Sequence, residues 1–577
     1  MSLDNNSNIK YYFTHSSFIT DIQPLTGGAK GKKKWTTFVH NGVLFPPLYH
    51  KHNVPVIFDG ERIILPEQAE EMATLYAKCL DTQYVTNSQF NKNFWKSWKP
   101  TLQGTKITSL EGCDLHLIYD YLVKKKSQKL ELSSEEKKQM AKKKEESLKR
   151  FHEAYVDGKE QHVGNFVVEP VGIFIGRGCH PKIGLVKERT MPEDVTINIS
   201  KNETIPKIYY IDHNNELVEM VDHTWGKIIH DNKVEWIASW RDSIKGKIKY
   251  VWLAEHSTFK ATSDMKKFNV AQRLKKNLKN IREQNAKFYK SKDFKKMQLG
   301  TATYLIDKLA LRVGNEKGED EADTVGLTSL RVEHITLEGH DTITFDFLGK
   351  DSIRYFNTIK VEPEIYQNLI EFIKGKEHDD YLFDSVNSTD LNDHLQSFMK
   401  GLTAKVFRTC NSSMLFQHKI RNIDRHFTGL GIKYEEMTDD NRKEALELFE
   451  RASIEVAKYC NHRKTVLKSL KDQLQRIKDK IEEMKQKKQR LQRKNRTKTV
   501  AKQITTLNKK ITLAKGKLAL KTEMKDISLT TSRMNYIDPR IIFAFSKRYN
   551  LPIEKLYSPA IIRKFQWASD VSGLFKF

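Results

Sequence analysis

Four cationic or hydrogen-bond-donating side chains and one tyrosine stand at positions where local pattern would hold them, and a set of that kind can grip an oxyanion. In Tyr304-Leu-Ile-Asp-Lys-Leu-Ala-Leu-Arg312-Val-Gly the spacing predicts a helix with Leu305, Leu309 and Arg312 at i, i+4 and i+7. An arginine on that apolar stripe must find an anion, either a buried carboxylate or a ligand. The run from Thr342 to Phe356 alternates as two strands about a Gly-Lys-Asp turn, so Lys350 falls at a hairpin tip. A tip ammonium is solvated, or lies beside the backbone if the tip enters a DNA groove. Leu395, Phe398 and Leu402 predict the buried face of a helix running on into Lys405-Val-Phe-Arg408, where Lys405 and Arg408 share an i,i+3 face. His462 closes a helix that begins near Arg442. That helix end favours an imidazolium or a donor role, with a simple cap as the alternative. Tyr536 stands two residues before Asp538, a predicted N-cap followed by Pro539, and so on the entry to a helix. Each residue alone fits a structural role. No Walker A loop, HExxH or clustered His/Cys set occurs, which argues against ATP hydrolysis, metal catalysis and a resident cofactor.

The elements that must position these residues belong to a chain of 577 residues, long enough for several domains. Its formal net charge of +26 calls for a polyanionic partner, nucleic acid first and an anionic membrane second. The membrane loses ground because no apolar run of 18 or more residues exists and Met1 to Tyr12 lacks a signal-like core. A soluble, intracellular protein is expected. Cys79, Cys113, Cys179, Cys410 and Cys460 are widely spaced without a CxxC pair and are expected to be reduced core thiols. Asn198 and Asn202 match a glycosylation pattern, taken as chance in the absence of a secretory signal.

Along the chain, residues 1–34 end in Gly27-Gly-Ala-Lys-Gly-Lys-Lys-Lys34, a flexible arm or an import patch. An α+β region follows with an amphipathic segment, Glu67 to Leu80. A lysine-rich helix is expected over Glu131 to Tyr155, opened by the capping box Ser133-Ser-Glu-Glu136. A strand-bearing region (166–253) includes the alternating Val195-Thr-Ile-Asn-Ile199. From 269 to 460 the pattern is mainly helical. Between about 466 and 521 apolar residues keep heptad spacing on two stretches, Leu467 to Leu491 and Val500 to Leu518, around Arg493-Lys-Asn-Arg-Thr-Lys498. These predict an antiparallel coiled-coil hairpin, with Lys and Arg outnumbering acids by about four to one.

Taken together, several motifs resemble the type IB DNA topoisomerases of the eukaryotic nucleus, from about Lys34 to Phe577. The motifs are Gly176-Arg-Gly-Cys-His-Pro-Lys182, Met191-Pro-Glu-Asp, Leu309-Ala-Leu-Arg-Val-Gly-Asn-Glu-Lys317, the hairpin Phe345 to Tyr355, Gly401 to Arg408, Cys460-Asn-His462 and Asn535-Tyr-Ile-Asp-Pro-Arg540. The resemblance implies an α+β multidomain fold, a bilobed clamp around duplex DNA. Its parts would be a basic arm (1–34), a mixed α/β cap lobe (35–253) and a mainly helical catalytic lobe (254–464) of the tyrosine recombinase/type IB kind. A coiled-coil linker (465–525) and a small helical C-terminal domain (526–577) would complete it. Arg312, Lys350, Arg408, His462 and Tyr536 fall on the family's catalytic set. Arg177, Asp351 and Asn535 match residues lining the nick, Asn315 and Thr531 match phosphate contacts, Lys405 joins the DNA-binding set, and Lys249 and Lys260 lie near where the lobes close. Ile175 stands where the family commonly has a second arginine beside Arg177.

By that resemblance Tyr536 attacks a phosphodiester, expels the 5′ hydroxyl and stores the ester energy as a 3′-phosphotyrosine, so resealing needs neither ATP nor metal. Arg312, Arg408 and His462 would offer donors to the non-bridging oxygens, with Lys350 as general acid. The chain would act as a nuclear monomer on double-stranded DNA, held mostly through phosphates. Camptothecin-like intercalators would be possible inhibitors. Two other readings compete, a tyrosine site-specific recombinase and a non-enzymatic basic chromatin protein. The basic hairpin between His462 and Tyr536, the Lys405-x-x-Arg408 pattern and the cap-like N-terminal half favour the topoisomerase.

Overall fold

The computed structural model describes residues 33–315, 321–464, 466, 468–493 and 497–577. The expected arm up to residue 32, the Glu316-Lys317 end of one motif, heptad residue Leu467 and the hairpin tip at 494–496 lie outside the described residues.

Short alternating strands build a seven-stranded sheet in the order Phe38–His40, Glu153–Val156, Lys159–Gly164, Ile248–Leu253, Trp236–Arg241, Thr196–Asn198 and Lys227–Ile229. All pairs are antiparallel except the last. Its inward residues, among them Phe38, Ala154, Val163, Ile197, Ala238 and Val251, close on Trp35, Phe151 and Trp240. A second core forms on the helix Ser88–Trp98, whose Phe90, Phe94 and Trp98 recur every fourth residue and are fully buried. Each contributes roughly 1.5–3 kcal/mol. The lysine-rich helix spans Ser134–Lys149 and has no fully buried residue, Leu148 packing part-buried on the sheet core. Its capping box forms as expected, Glu136 N donating to Ser133 Oγ at 3.1 Å and Ser133 N to Glu136 Oε2 at 2.8 Å. It stops short of Tyr155, because Ala154 and Val156 alternate inward on the strand Glu153–Val156.

The third and largest core gathers the helices Thr258–Tyr289, Phe294–Leu309, Ala404–Gly429 and Asp439–Tyr459. Beside them lies an antiparallel sheet, Ile335–Glu338, Thr342–Gly349 and Ile353–Lys360. Two of its strands match the sequence expectation; the third, Ile335–Glu338, was not anticipated. The end of the chain packs into the same core, Phe545 stacking on Phe449 at 5.1 Å and Phe577 being buried. The helix expected across 395–408 is broken: one helix ends at Phe398, Gly401 adopts φ +82, and the next begins at Ala404. Leu402 still enters the core from the connection.

The helices Lys468–Gln492 and Lys498–Glu523 pack along each other. Ile481, Leu507 and Ile511 are buried in their seam, and Leu474, Ile477, Ile504 and Leu518 are half-buried. Lys458 pairs with Glu523 at 2.7 Å where the second helix meets the main core. Cys79, Cys410 and Cys460 are buried thiols and Cys113 is half-buried, but Cys179 is exposed, in a loop that turns at Gly178 with φ +60. Among the described residues no helix is long and apolar enough to cross a membrane.

Candidate active site

Arg312 owes its position to a helix end, not to a helical face. The helix Phe294–Leu309 stops because Ala310 takes the left-handed conformation (φ 51, ψ 37). That conformation costs an alanine about 1–2 kcal/mol. The chain then leaves regular structure through Arg312, pinned where Leu327 N donates to Arg312 O at 2.9 Å and Thr328 N to Val313 O at 2.8 Å. The contact requires two glycines: a Cβ on Gly314 would lie 2.6 Å from Gly326 Cα, and one on Gly326 2.4 Å from Gly314 Cα. The expected stripe position and buried carboxylate partner are therefore both corrected. Arg312 is exposed along a cleft wall, and no carboxylate pairs with it among the described residues.

Lys350 stands at the hairpin tip as expected, exposed, and no side chain holds its ammonium among the described residues. The turn is made by Asp351 (φ 67) and Ser352 (φ 55). Asp351 pairs with Arg177 at 2.7 Å, and Ser352 Oγ donates to Arg177 O at 3.3 Å. The Gly176–Gly178 loop thus meets the hairpin at its tip.

Arg408 and His462 are buried, at 3 % and 4 % exposure. Arg408 sits in the second turn of Ala404–Gly429. It donates through Nη1 to Ala310 O at 2.8 Å and through Nη2 to Cys460 O at 2.9 Å. Its Nε is buried and has no partner among the described residues. Lys405, three residues earlier, is exposed, so the two share a helix but not an environment. His462 is aimed by the end of Asp439–Tyr459. Asn461 is left-handed (φ 50) and His462 N returns to Ala457 O at 2.9 Å, an arrangement asparagine tolerates well. The His462 ring meets Arg408 Nη2 through Nε2 at 3.3 Å and Ser532 Oγ through Nδ1 at 2.6 Å. Burial first, then Arg408 and Arg312, push its pKa down to about 3. Of the roles the helix end allows, an imidazolium or a donor, desolvation and two guanidiniums favour a neutral, donating ring.

Tyr536 follows the short helix Leu529–Asn535, not anticipated from the sequence, and precedes Pro539–Arg548, which Asp538 caps as expected. Its ring stacks on His462 (5.2 Å, 27°) and lies under the Arg408 guanidinium at 4.9 Å. Ser413 Oγ donates to Tyr536 O at 3.1 Å and accepts from Asp538 N at 3.0 Å.

Arg312, Lys350, Arg408 and His462 line one cleft of about 1210 Å³, together with Arg177, Asp351 and Thr531. Tyr536 does not line it but packs against two residues that do. Partial desolvation, then Arg408 beside it, lower the Arg312 pKa although the side chain remains open to solvent. Other expected DNA contacts are dispersed. Lys249 is held by Glu169 (2.6 Å) and Asp242 (3.3 Å), and Lys260 lies over Trp252 at 4.8 Å. Asn315 is exposed beyond the cleft lining, and Asn535 Nδ2 donates to Thr531 O at 3.1 Å. Ile175, beside Arg177, is exposed. Residues missed in the sequence are Ser413, Ser532, Ala310 and Cys460. The i,i+4 spacing of Ser532 to Tyr536 was a usable signal; the carbonyl roles of Ala310 and Cys460 carry none in side-chain type.

Two arginines, a neutral histidine and a lysine lining one cleft, with a tyrosine packed behind two of them, make a site for a phosphate-type anion. Three family models match the chain: "Eukaryotic DNA topoisomerase I, DNA binding fragment" over 33–253, "Eukaryotic DNA topoisomerase I, catalytic core" over 256–495 and "C-terminal topoisomerase domain" over 508–577. The chain is 39% identical over 570 residues to DNA topoisomerase 1 beta of Arabidopsis thaliana, covering 95% of this chain and 60% of that protein. It is 40% identical over 564 residues to DNA topoisomerase 1 of Caenorhabditis elegans (94% and 67%) and 37% over 567 residues to DNA topoisomerase 1 of Homo sapiens (93% and 71%). The chain belongs to the eukaryotic DNA topoisomerase I family, of type IB. It spans about three fifths of the length of the Arabidopsis relatives.

Proposed function

We propose that this chain is a type IB DNA topoisomerase that nicks one strand of duplex DNA through Tyr536, lets the downstream duplex rotate, and reseals the nick. The observation that carries the proposal is the packing of the Tyr536 ring against His462 and under Arg408, two residues that line the cleft together with Arg312 and Lys350. Family membership supports the same reading.

Phosphoryl transfer from DNA to a phenol concentrates negative charge on the non-bridging oxygens. Arg408, anchored by two carbonyls, lines the cleft with its guanidinium, and Arg312, which no carboxylate pairs with among the described residues, offers a second planar donor. Fixed donors of this kind supply the charge stabilisation that a cation supplies elsewhere, so the reaction is expected to run without added metal. Lys350, exposed at a hairpin tip, is the general acid for the departing 5′ oxygen. The covalent phosphotyrosine conserves the ester energy, so ATP is not required.

In this reading the sheet lobe over 35–253 is the cap of a bilobed clamp and 254–464 the catalytic lobe. The basic helical hairpin is a coiled-coil linker, 465–525, and 526–577 brings the tyrosine. The partner is double-stranded DNA, the acting form a monomer and the compartment the nucleus. The exposed Arg177–Asp351 pair with Asn535 nearby in the chain to Thr531 is the region where camptothecin-like intercalators would act. The test is supercoil relaxation in EDTA without ATP. Wild-type protein should relax both signs of supercoil, and Tyr536→Phe should bind duplex DNA but neither nick nor relax it. A covalent adduct formed by that variant would remove Tyr536 from the mechanism.

A further inference from the structure

Ser532 holds the histidine and the tyrosine of the site at once. It is fully buried, and its hydroxyl lies 2.6 Å from His462 Nδ1. Its carbonyl accepts from Tyr536 N at 3.0 Å and Ile537 N at 3.1 Å. The other ring nitrogen, Nε2, faces Arg408 Nη2 at 3.3 Å. A guanidinium can only donate. Nε2 is therefore the acceptor in the free chain, and the single proton of the neutral ring sits on Nδ1 and is donated to Ser532 Oγ.

A phosphate oxygen entering the cleft reverses the demand, since it accepts and needs a proton on Nε2. A hydroxyl can serve both states, accepting from Nδ1–H in one and donating to bare Nδ1 in the other. The exchange is balanced: one proton leaves Nδ1 to solvent, one arrives at Nε2 from solvent, and the serine O–H rotates. A carbonyl at this place would lock the first tautomer, and an alkyl group would hold neither.

We propose that Ser532 is a positioning residue for His462, which keeps the ring in place on Tyr536 while its proton moves from Nδ1 to Nε2 as phosphate displaces Arg408 from Nε2. The inference rests on the function proposed above. Single-turnover nicking of a labelled duplex is measured for Ser532→Ala and Ser532→Thr, in the intact chain and in a His462→Ala background, with melting temperature and DNA binding measured alongside. Loss of one such hydrogen bond is expected to slow nicking by about tenfold in Ser532→Ala with DNA affinity unchanged, and Ser532→Thr should restore most of it. In the His462→Ala background Ser532→Ala should add nothing. An equal loss in both backgrounds, no loss at all, or no rescue by a threonine variant of wild-type stability would overturn the proposal. If the extra methyl of threonine unfolds the site, the comparison between backgrounds decides. A wild-type chain that forms no Tyr536 adduct would overturn the proposed function and this inference with it; normal nicking by both proteins overturns the inference alone.

Discussion

Arg408→Lys separates charge from geometry at the most buried cation of the site. A lysine keeps the positive charge, so a purely Coulombic account expects it to function. The structure predicts otherwise. Arg408 reaches Ala310 O at 2.8 Å and Cys460 O at 2.9 Å with different nitrogens while its Nη2 also meets His462 Nε2 at 3.3 Å. One ammonium nitrogen on a shorter stem cannot bridge both carbonyls and also face a phosphate. Losing one charge-assisted hydrogen bond and leaving a buried carbonyl short of its donor costs about 1.5–3 kcal/mol of stability. If the lysine turns to the carbonyls, a transition-state donor is lost, worth about 10²- to 10³-fold in rate. Urea unfolding reads the first effect and single-turnover nicking of an oligonucleotide duplex the second. Binding of uncleaved DNA should change little, since the substitution keeps the positive charge. Nicking by Arg408→Lys within a few-fold of wild type would refute the bridging argument.

Three further outcomes are expected. Burial lowers the pKa of His40 to about 4, of His394 to about 4 and of His462 to about 3, below the ordinary 6.5, so each folded ring is neutral. The unfolded chain then takes up protons first, and the stability these rings contribute is complete above about pH 6.5 and falls by about 1.4 kcal/mol per pH unit and per ring below it. Urea unfolding should show the loss between about pH 6.5 and 4, and a flat profile there contradicts neutral burial. Lys350→Ala should slow cleavage by about 10²- to 10⁴-fold. Sulfur at the bridging 5′ position should restore much of it, because a thiolate (pKa about 8.5) leaves without an acid. Arg312→Ala should not be rescued comparably, and equal rescue would make Lys350 only a phosphate clamp. Replacing 468–523 with a short flexible link should leave nicking intact and change the turns released per cleavage, since the hairpin carries none of the five central residues; a folded deletion variant unable to nick would contradict this.

Much of the site was legible because its residues sit at punctuation that sequence encodes directly. Gly349-Lys-Asp between alternating strands fixed Lys350 at a tip, and Asp538-Pro539 fixed the helix start beyond Tyr536. The heptads likewise predicted the two packed helices, and Ser133 with Glu136 the capping box. Side-chain periodicity failed where the backbone left it. Arg312 continued an apolar stripe by count, yet Ala310 at φ 51 ends the helix two residues earlier. Nothing in alanine announces that conformation; it is imposed by Arg408 drawing on Ala310 O from 98 residues away and by the Gly314 and Gly326 backbones passing in contact.

The same distance explains why the charge of His462 cannot be read from its own helix. Its helix supplies a dipole that sequence can foresee, whereas Arg408, Arg312 and Ser532, which set its charge and its proton, come from three other segments. Arg408 is the joint of that assembly. It ties the end of one helix through Ala310, the end of another through Cys460, and the ring of Tyr536 beneath its plane. A lysine fits none of those three contacts as well, a leucine would fill the volume but strand two carbonyls, and only a planar, permanently charged donor meets all three. The residue type at 408 is thus dictated by backbone as much as by substrate.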